Sequence, residues 1–471
     1  MNSSGHPVRQ RSLALAVTSA TASLHDSLSD LIPATSARIL WISYGAAATP
    51  IGIYFWFIHS FGVNVVIEDS WNGTLPLVRA LARGNLNLAE LWAPHNGNRM
   101  LIPNLVLTVS DYLNHVDSKT DMYLSATAVL VAVVLLVGLC LRATPLRGLW
   151  IVPAAFLLCD LIQVQNILWA FQFAWALGML CLLATLAALE GTERHRWLFL
   201  VALGAAIVAS YTSLFGLLVW PAGLLYARLK VLPKHCLVEW VVVALCAVVL
   251  YFWQLGPISP PTHPSYALSH PLLEFRFLLA LLGDISPVHH LVAGTAVIVT
   301  SAVVGWLTFH YRVPLHQLRL ALTLWSFGIL FDLLVTGGRA ELGIQYAQSS
   351  RYSTFNLLVL VGIYLGAISI LQPKGGWRRR SGYAHRPVAA AVCSVLGLLV
   401  AAHLGWSVSY GVTQGRQYRA EREVAAEVLT HYRVEPIPVL SRYLFGPGGE
   451  YVEEWAPVLQ AHHWSVFSAD R

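Results

Sequence analysis

Long apolar segments are the feature that most constrains what this chain can fold into. They recur at about eleven places, most of them near the roughly 20 residues that a helix needs to cross a membrane. The 471 residues are 56% hydrophobic and 11% charged, whereas soluble proteins carry about 25% charged residues. The sequence therefore predicts an all-α, polytopic membrane protein. The predicted spans are 39–63, 122–141, 149–167, 170–189, 197–212, 214–227, 237–254, 288–309, 318–336, 353–371 and 388–410.

The charges of the short loops predict which way the spans run. Loops 142–147, 228–236 and 374–386 carry arginine or lysine and no acid, which is typical of cytoplasmic loops. They share one side if the N-terminus is cytoplasmic and if residues 197–227 form two short spans. A single span there would move the later basic loops outside, so the charge rule favours the hairpin. The net charge of +6 is dispersed over these loops, which does not indicate nucleic-acid binding.

The first predicted outer loop, 64–121, is long and carries six acids against four bases. Within it, residues 74–84 and 99–115 predict helices that lie on the membrane surface. The C-terminal residues are too few to form a large independent domain, and we expect them to pack on the outer loops. The predicted divisions are a cytoplasmic tail 1–38, a multi-span domain 39–411 and a short outer segment 412–471.

Two adjacent acids, Glu68 and Asp69, open this loop directly after the first span. They are either a helix cap with solvated carboxylates or part of a functional site. Further along, the turn-rich stretch "LWAPHNGNRM" supplies His95, Asn96 and Arg99. These three side chains either satisfy the loop and contact lipid headgroups, or they join the acids at the outer surface.

A later outer loop carries Arg339, Glu341 and Arg351, with Tyr352 next in the chain. An arginine outside the membrane at the start of a span opposes the usual charge bias and needs a local reason. Binding an anion is one, because the guanidinium group is a planar fork that matches phosphate oxygens. The alternative is that Arg339 pairs with Glu341 or with an acid of the first loop.

Other polar residues favour structural roles. The histidines within residues 257–290 have no metal-ligand spacing and are separated by prolines, so they indicate a lid or packing loop, and no metal site is predicted. Asp160 and Asp332 are lone acids inside predicted spans. Asp160 needs a partner, which is either Gln163 or a residue of a neighbouring helix.

Three stretches carry a resemblance to a known superfamily: "EDSW" at 68–71, "HNGNRMLIPNL" at 95–105 and "GRAELGIQYAQSSRYSTF" at 338–355. Together with a first span, a long acidic outer loop, many further spans and a short outer C-terminal part, they resemble the GT-C membrane glycosyltransferases. The superfamily uses sugars linked to polyprenyl phosphate. The topological likeness covers most of the chain, and the last two stretches look like those of poorly characterised bacterial members.

The resemblance implies inverting sugar transfer to a glycan, lipid or protein acceptor at the outer face of a bacterial plasma membrane. It implies that a carboxylate is the base, with Asp69 in that role and Glu68 orienting it, although their roles could be exchanged. Some members hold a divalent cation, Mg or Mn, against the phosphate; no other cofactor is implied. The implied substrate-binding residues are His95, Asn96, Arg99, Arg339, Arg351 and Tyr352. A transporter or flippase of lipid-linked saccharide, and a non-catalytic protein of envelope assembly, remain alternatives.

Overall fold

The computed structural model describes residues 37–144, 148–256, 263, 265–286, 288–371, 386–446 and 448–468. Within these ranges the chain forms nineteen α-helices and no β-strand, so the predicted all-α fold is confirmed. The helices are α1 Ala37–Phe61, α2 Thr74–Ala82, α3 Leu88–Trp92, α4 Leu101–Asn114, α5 Ser118–Ala143, α6 Val152–Leu158, α7 Val164–Leu168, α8 Phe173–Gly191, α9 Trp197–Ser210, α10 Val219–Leu229, α11 Lys234–Phe252, α12 Ser265–Ser269, α13 Pro271–Leu282, α14 His290–His310, α15 Leu315–Arg339, α16 Ser353–Leu371, α17 Arg386–Thr430, α18 Ile437–Tyr443 and α19 Gly449–Ala461.

Six helical segments in the described part of the chain are long and apolar enough to cross a membrane. This length and composition support a membrane-embedded protein, while the total of about eleven spans stays a prediction. The segments are Ser118–Ala143, Ala170–Gly191, Lys234–Phe252, His290–His310, Leu315–Leu342 and Ser353–Ile370.

The span predicted over 149–167 is not one continuous helix. Helix α6 ends before Asp160 and α7 begins after Gln163. The Asp160 carboxylate accepts a hydrogen bond from the Ile162 N–H at 2.9 Å, a local bond that competes with helical pairing and breaks the helix. Its buried partner is His403, at 2.8 Å. Of the two predicted kinds of partner, the neighbouring helix is the one observed, because His403 lies on α17, while the Gln163 amide donates to the Leu158 carbonyl at 2.9 Å.

Helix α17 also differs from expectation, since it does not end with the predicted span 388–410 but continues to Thr430, over 45 residues in all. Two glycines lie just beyond the predicted end of the span, and they serve close packing. A Cβ at Gly411 would lie 2.5 Å from the Leu161 side chain, and one at Gly415 would lie 2.8 Å from the ring of Phe57.

The first loop, the turn 211–218 and the segment 340–352 lie at the same end of the helix bundle, and we call this the loop end. The predicted hairpin forms as α9 and α10, and its turn at residues 211–218 lies at this end. Helices α2 and α4 form within the first loop close to where they were predicted. A separate hydrophobic core joins this loop, through Trp71 and Leu75, to the C-terminal segment, through Leu429 and Val452.

Candidate functional site

A cavity of about 230 Å³ opens at the loop end. Its wall includes six of the eight residues predicted from the sequence, contributed by the first loop, by the end of α15 and by the segment before α16. These six are Asp69, His95, Asn96, Arg339, Arg351 and Tyr352. The apolar part of the wall comes from residues such as Trp175 on α8 and Phe331, Leu334 and Val335 on α15.

Asp69 is the one carboxylate among the residues that line this cavity. It sits in a single 3₁₀ turn, Glu68–Ser70, that follows the extended residue Ile67. Its Oδ1 lies 3.8 Å from His95 Nε2 and 3.5 Å from Asn96 Nδ2. The Asp69 side chain is 28% exposed and that of His95 is 12% exposed. The carboxylate is therefore held by neighbours and still reaches the open volume.

A tight hairpin presents His95 and Asn96 to Asp69. The backbones of His95 and Asn98 exchange two hydrogen bonds of 2.9 Å. Asn96 and Gly97 both have positive φ, 48° and 74°, as a type I′ turn requires. The Asn98 Oδ1 accepts from the Ser213 hydroxyl at 2.9 Å, which ties the hairpin to the α9–α10 turn. The Asn-Gly pair is the sequence signal for this turn.

Arg339 and Arg351 face the cavity without an acidic side chain in ion-pair contact. None of the ion pairs and hydrogen bonds among the described residues uses either guanidinium, and the Arg351 Nε is buried with no hydrogen-bond partner. Glu341, the alternative partner for Arg339, is engaged by His263, whose Nδ1 lies 3.0 Å from Oε1. Two cations thus stand at the cavity wall where an anion would satisfy them.

Glu68 does not line the cavity. Its backbone lies in the left-handed region, with a φ of 47°, and its N–H donates to the Leu444 carbonyl at 2.6 Å. Burial raises the pKa of the Glu68 carboxyl, as does the neighbouring Asp69 carboxylate, and this rise is opposed by Arg422, by a hydrogen bond from the Gly446 N–H and by Arg351. Glu68 therefore fastens the first loop to the C-terminal segment while the next residue enters the cavity.

Arg99 is the prediction that the structure corrects. The side chain is 1% exposed and lies outside the cavity. Its guanidinium donates to the carbonyls of Tyr251 at 2.8 Å, Trp92 at 2.7 Å and Trp253. Two of these carbonyls lie at the C-terminal end of α11, where helical carbonyls lack partners. Arg99 therefore caps that helix end, and its buried guanidinium does not reach the cavity.

The cavity lining does not fit the Mg or Mn ion that the resemblance allows. Asp69 is the one carboxylate among the lining residues, and the two guanidinium groups on the same wall would repel a divalent cation. Over the whole described part of the chain, no group of three or more His, Cys, Asp or Glu side chains could hold a metal ion. The arginines supply the positive charge instead.

The lining residues that sequence reasoning did not propose as site residues include Asn98, Trp175 and Ser213. Asn98 and Ser213 lie in stretches that carried turn signals, but a mid-span tryptophan such as Trp175 gives no signal of its own. Comparison with known proteins finds no family model, curated protein or solved structure that matches the chain. The chemistry of the site therefore rests on its own residues: a carboxylate, two unpaired arginines and an apolar wall.

Proposed function

We propose that this protein is a multi-pass, GT-C-type glycosyltransferase of the bacterial plasma membrane. It would move a sugar from a polyprenyl-phosphate donor to an envelope glycan, lipid or protein at the outer face. The observation that carries the proposal is the convergence of Asp69, Arg339 and Arg351, which are distant in sequence, on one cavity. That cavity combines a candidate base, an anion site and an apolar wall.

The proposed reaction divides between the carboxylate and the arginines. A bond forms between the acceptor oxygen and the anomeric carbon as the bond from that carbon to the phosphate oxygen breaks, with inversion. The acceptor hydroxyl gives its proton to Asp69, which His95 and Asn96 hold in place. The phosphate leaves with the bonding electrons, and its charge falls on Arg351 and Arg339.

The apolar wall suits the lipid part of such a donor. Phe331, Leu334 and Val335 lie on α15, within a segment apolar enough to cross a membrane. The first isoprene units would contact this face, while the phosphate would stay at the arginines. In the proposed orientation the N-terminus is cytoplasmic and the loop end, with the C-terminal segment, lies outside.

Asp69→Asn tests the proposal in cells that lack the native protein and express a variant. We expect transfer to fall by about 10²- to 10⁴-fold, as for loss of a general base. The donor, a polyprenyl-phosphate sugar, should then accumulate in lipid extracts analysed by mass spectrometry. Glu68→Gln is the matched control, because that neighbouring acid lies outside the cavity, and it should keep most of the activity. Wild-type donor levels in the Asp69→Asn strain, at equal protein abundance, would refute the base assignment.

One observation favours the alternative function, translocation of a lipid-linked saccharide. The broken segment α6–α7 places a buried Asp160–His403 pair among apolar helices, and transporters use discontinuous helices of this kind. The leaflet in which donor accumulates separates the two functions. A blocked transferase leaves the lipid-linked sugar in the outer leaflet, where an impermeant lectin labels it. A blocked flippase leaves it in the inner leaflet, and a non-catalytic protein causes no accumulation in either.

A further inference from the structure

A second polar cluster lies behind the cavity wall, where α13, α15 and α16 meet. Its centre is Asp332, which is 0% exposed. Neither carboxylate oxygen of Asp332 has a hydrogen-bond partner among the described residues. A buried charge without a partner is among the most costly arrangements in a protein interior. Asp332 therefore needs a partner of another kind.

Other buried side-chain oxygens lie on α15 and α16 close to this junction. Thr336 lies one turn after Asp332, so both side chains share a face of α15, and the Thr336 hydroxyl is also unpartnered. On α16, Ser353 and Asn356 share a face in the same way. The Asn356 Oδ1 is unpartnered, while its amide donates to the Leu281 carbonyl at 2.5 Å.

The last member is Asp284, which follows α13. It accepts a hydrogen bond of 2.9 Å from the Ser353 hydroxyl and interacts electrostatically with Asp332. Helices α15 and α16 approach each other closely here, since a Cβ at Gly328 on α15 would lie 2.7 Å from the Phe355 carbonyl oxygen on α16. The cluster thus combines two carboxylates, two hydroxyls and one amide oxygen.

The side-chain oxygens of this cluster favour one class of bound ion. All are oxygens, which favour hard cations over zinc or copper. Two ionised carboxylates need two positive charges for neutrality, which a sodium ion does not supply. Counting both oxygens of Asp332, the five side chains offer six oxygens without any water. That number fits calcium, which takes about six to eight oxygen ligands, better than magnesium, which usually keeps several waters.

We propose that Asp284, Asp332, Thr336, Ser353 and Asn356 form a calcium site. The ion would join α15, which ends at Arg339, to α16, which begins just after Arg351. It would thereby fix the spacing of the two arginines without touching a substrate. The inference is independent of the reaction proposed above, because it concerns the junction of the helices alone.

The test uses the full chain, purified in detergent and treated with a chelator. Adding calcium alone should restore about one ion per chain, measured by elemental mass spectrometry, and should raise the melting temperature. Asp332→Asn should lose both effects. Asp160→Asn is the matched control, because Asp160 is an equally buried acid whose oxygens have partners, and it should bind calcium like the wild type.

The opposing explanation is that two protons neutralise the acids. Burial raises the pKa of the Asp284 carboxyl well above its usual range, as expected where no cation is bound. Asparagine resembles a protonated aspartate, so Asp332→Asn would then melt like the wild type, and no ion would shift either protein. That outcome, or a shift with magnesium alone, would overturn the proposal. If Asp332→Asn does not fold, Thr336→Val provides the test and should weaken calcium binding about tenfold.

Discussion

The two ends of the helix bundle use charged residues in opposite ways. At the end away from the cavity, the Glu190 carboxylate accepts from Arg319 at 2.6 and 3.1 Å and from the Tyr226 hydroxyl at 2.7 Å. Nearby, the Lys230 ammonium donates to the Leu189 carbonyl at 2.9 Å. At the loop end, Arg351 faces a cavity with its Nε buried and unpartnered.

The difference in pairing separates charged side chains that stabilise the fold from charged side chains that are available to bind a ligand. Removing one partner of a buried, fully hydrogen-bonded ion pair strongly lowers the free energy of unfolding, because the other charge stays buried without a partner. A charge held without a partner costs stability, and such residues are concentrated at functional sites. Removing Arg319 and removing Arg351 should therefore affect different properties of the protein.

The largest expected effect is on activity, from Arg351→Gln. Because the arginine would stabilise the leaving phosphate, its loss should lower sugar transfer by about 10²-fold. The melting temperature should stay unchanged or rise slightly, because no described ion pair is broken. Accumulated donor lipid and thermal unfolding of the purified variant are the two measurements. A lower melting temperature with full sugar transfer per folded molecule would show that Arg351 supports the fold and does not bind the phosphate.

Arg319→Gln should show the opposite pattern. It removes the guanidinium that donates two hydrogen bonds to the mostly buried Glu190 carboxylate, which costs about 3–5 kcal/mol of unfolding free energy. Transfer per folded molecule should be unchanged, because Arg319 is at the other end of the bundle. The double variant with Glu190→Gln should recover much of the lost stability. If the double variant recovers no stability, the Glu190–Arg319 pair does not support the fold as described.

Sequence alone predicted much of the fold, because apolar runs and short turns are local signals. It located the helices that became α1, α5, α15 and α16, and it placed Asp69 and Arg351 on the same side of the membrane. It could not show that these two residues share a cavity, since that depends on contacts between distant segments. Arg99 went wrong for the same reason: its partner Tyr251 lies far along the chain.

The local exceptions have local causes that sequence reasoning weighed incorrectly. Asp160 breaks its span because its side chain pairs with its own backbone. Gly415 does not break α17 because a neighbouring helix packs against it. For Asp160 a local hydrogen bond decided the outcome, and for Gly415 a packing contact with a distant part of the chain did.

The smallest expected effect concerns Glu68, which lies at the loop end but contacts the C-terminal segment. Burial raises the pKa of its carboxyl, so the folded protein keeps a proton that the unfolded chain has released. Stability should therefore fall as the pH rises from the ordinary glutamate value, about 4.3, through the raised one. Glu68→Gln has no carboxyl group at this position, so its stability does not change with pH through residue 68.

Relative to the wild type, the melting temperature of Glu68→Gln should consequently rise across that pH window and level off above it. Thermal unfolding of both proteins over a pH series measures this difference, with transfer activity as the second readout. A constant difference at every pH would mean that burial does not control the Glu68 carboxyl. A loss of transfer as large as that of Asp69→Asn would mean that Glu68 belongs with the cavity residues and not with the contacts that hold the fold.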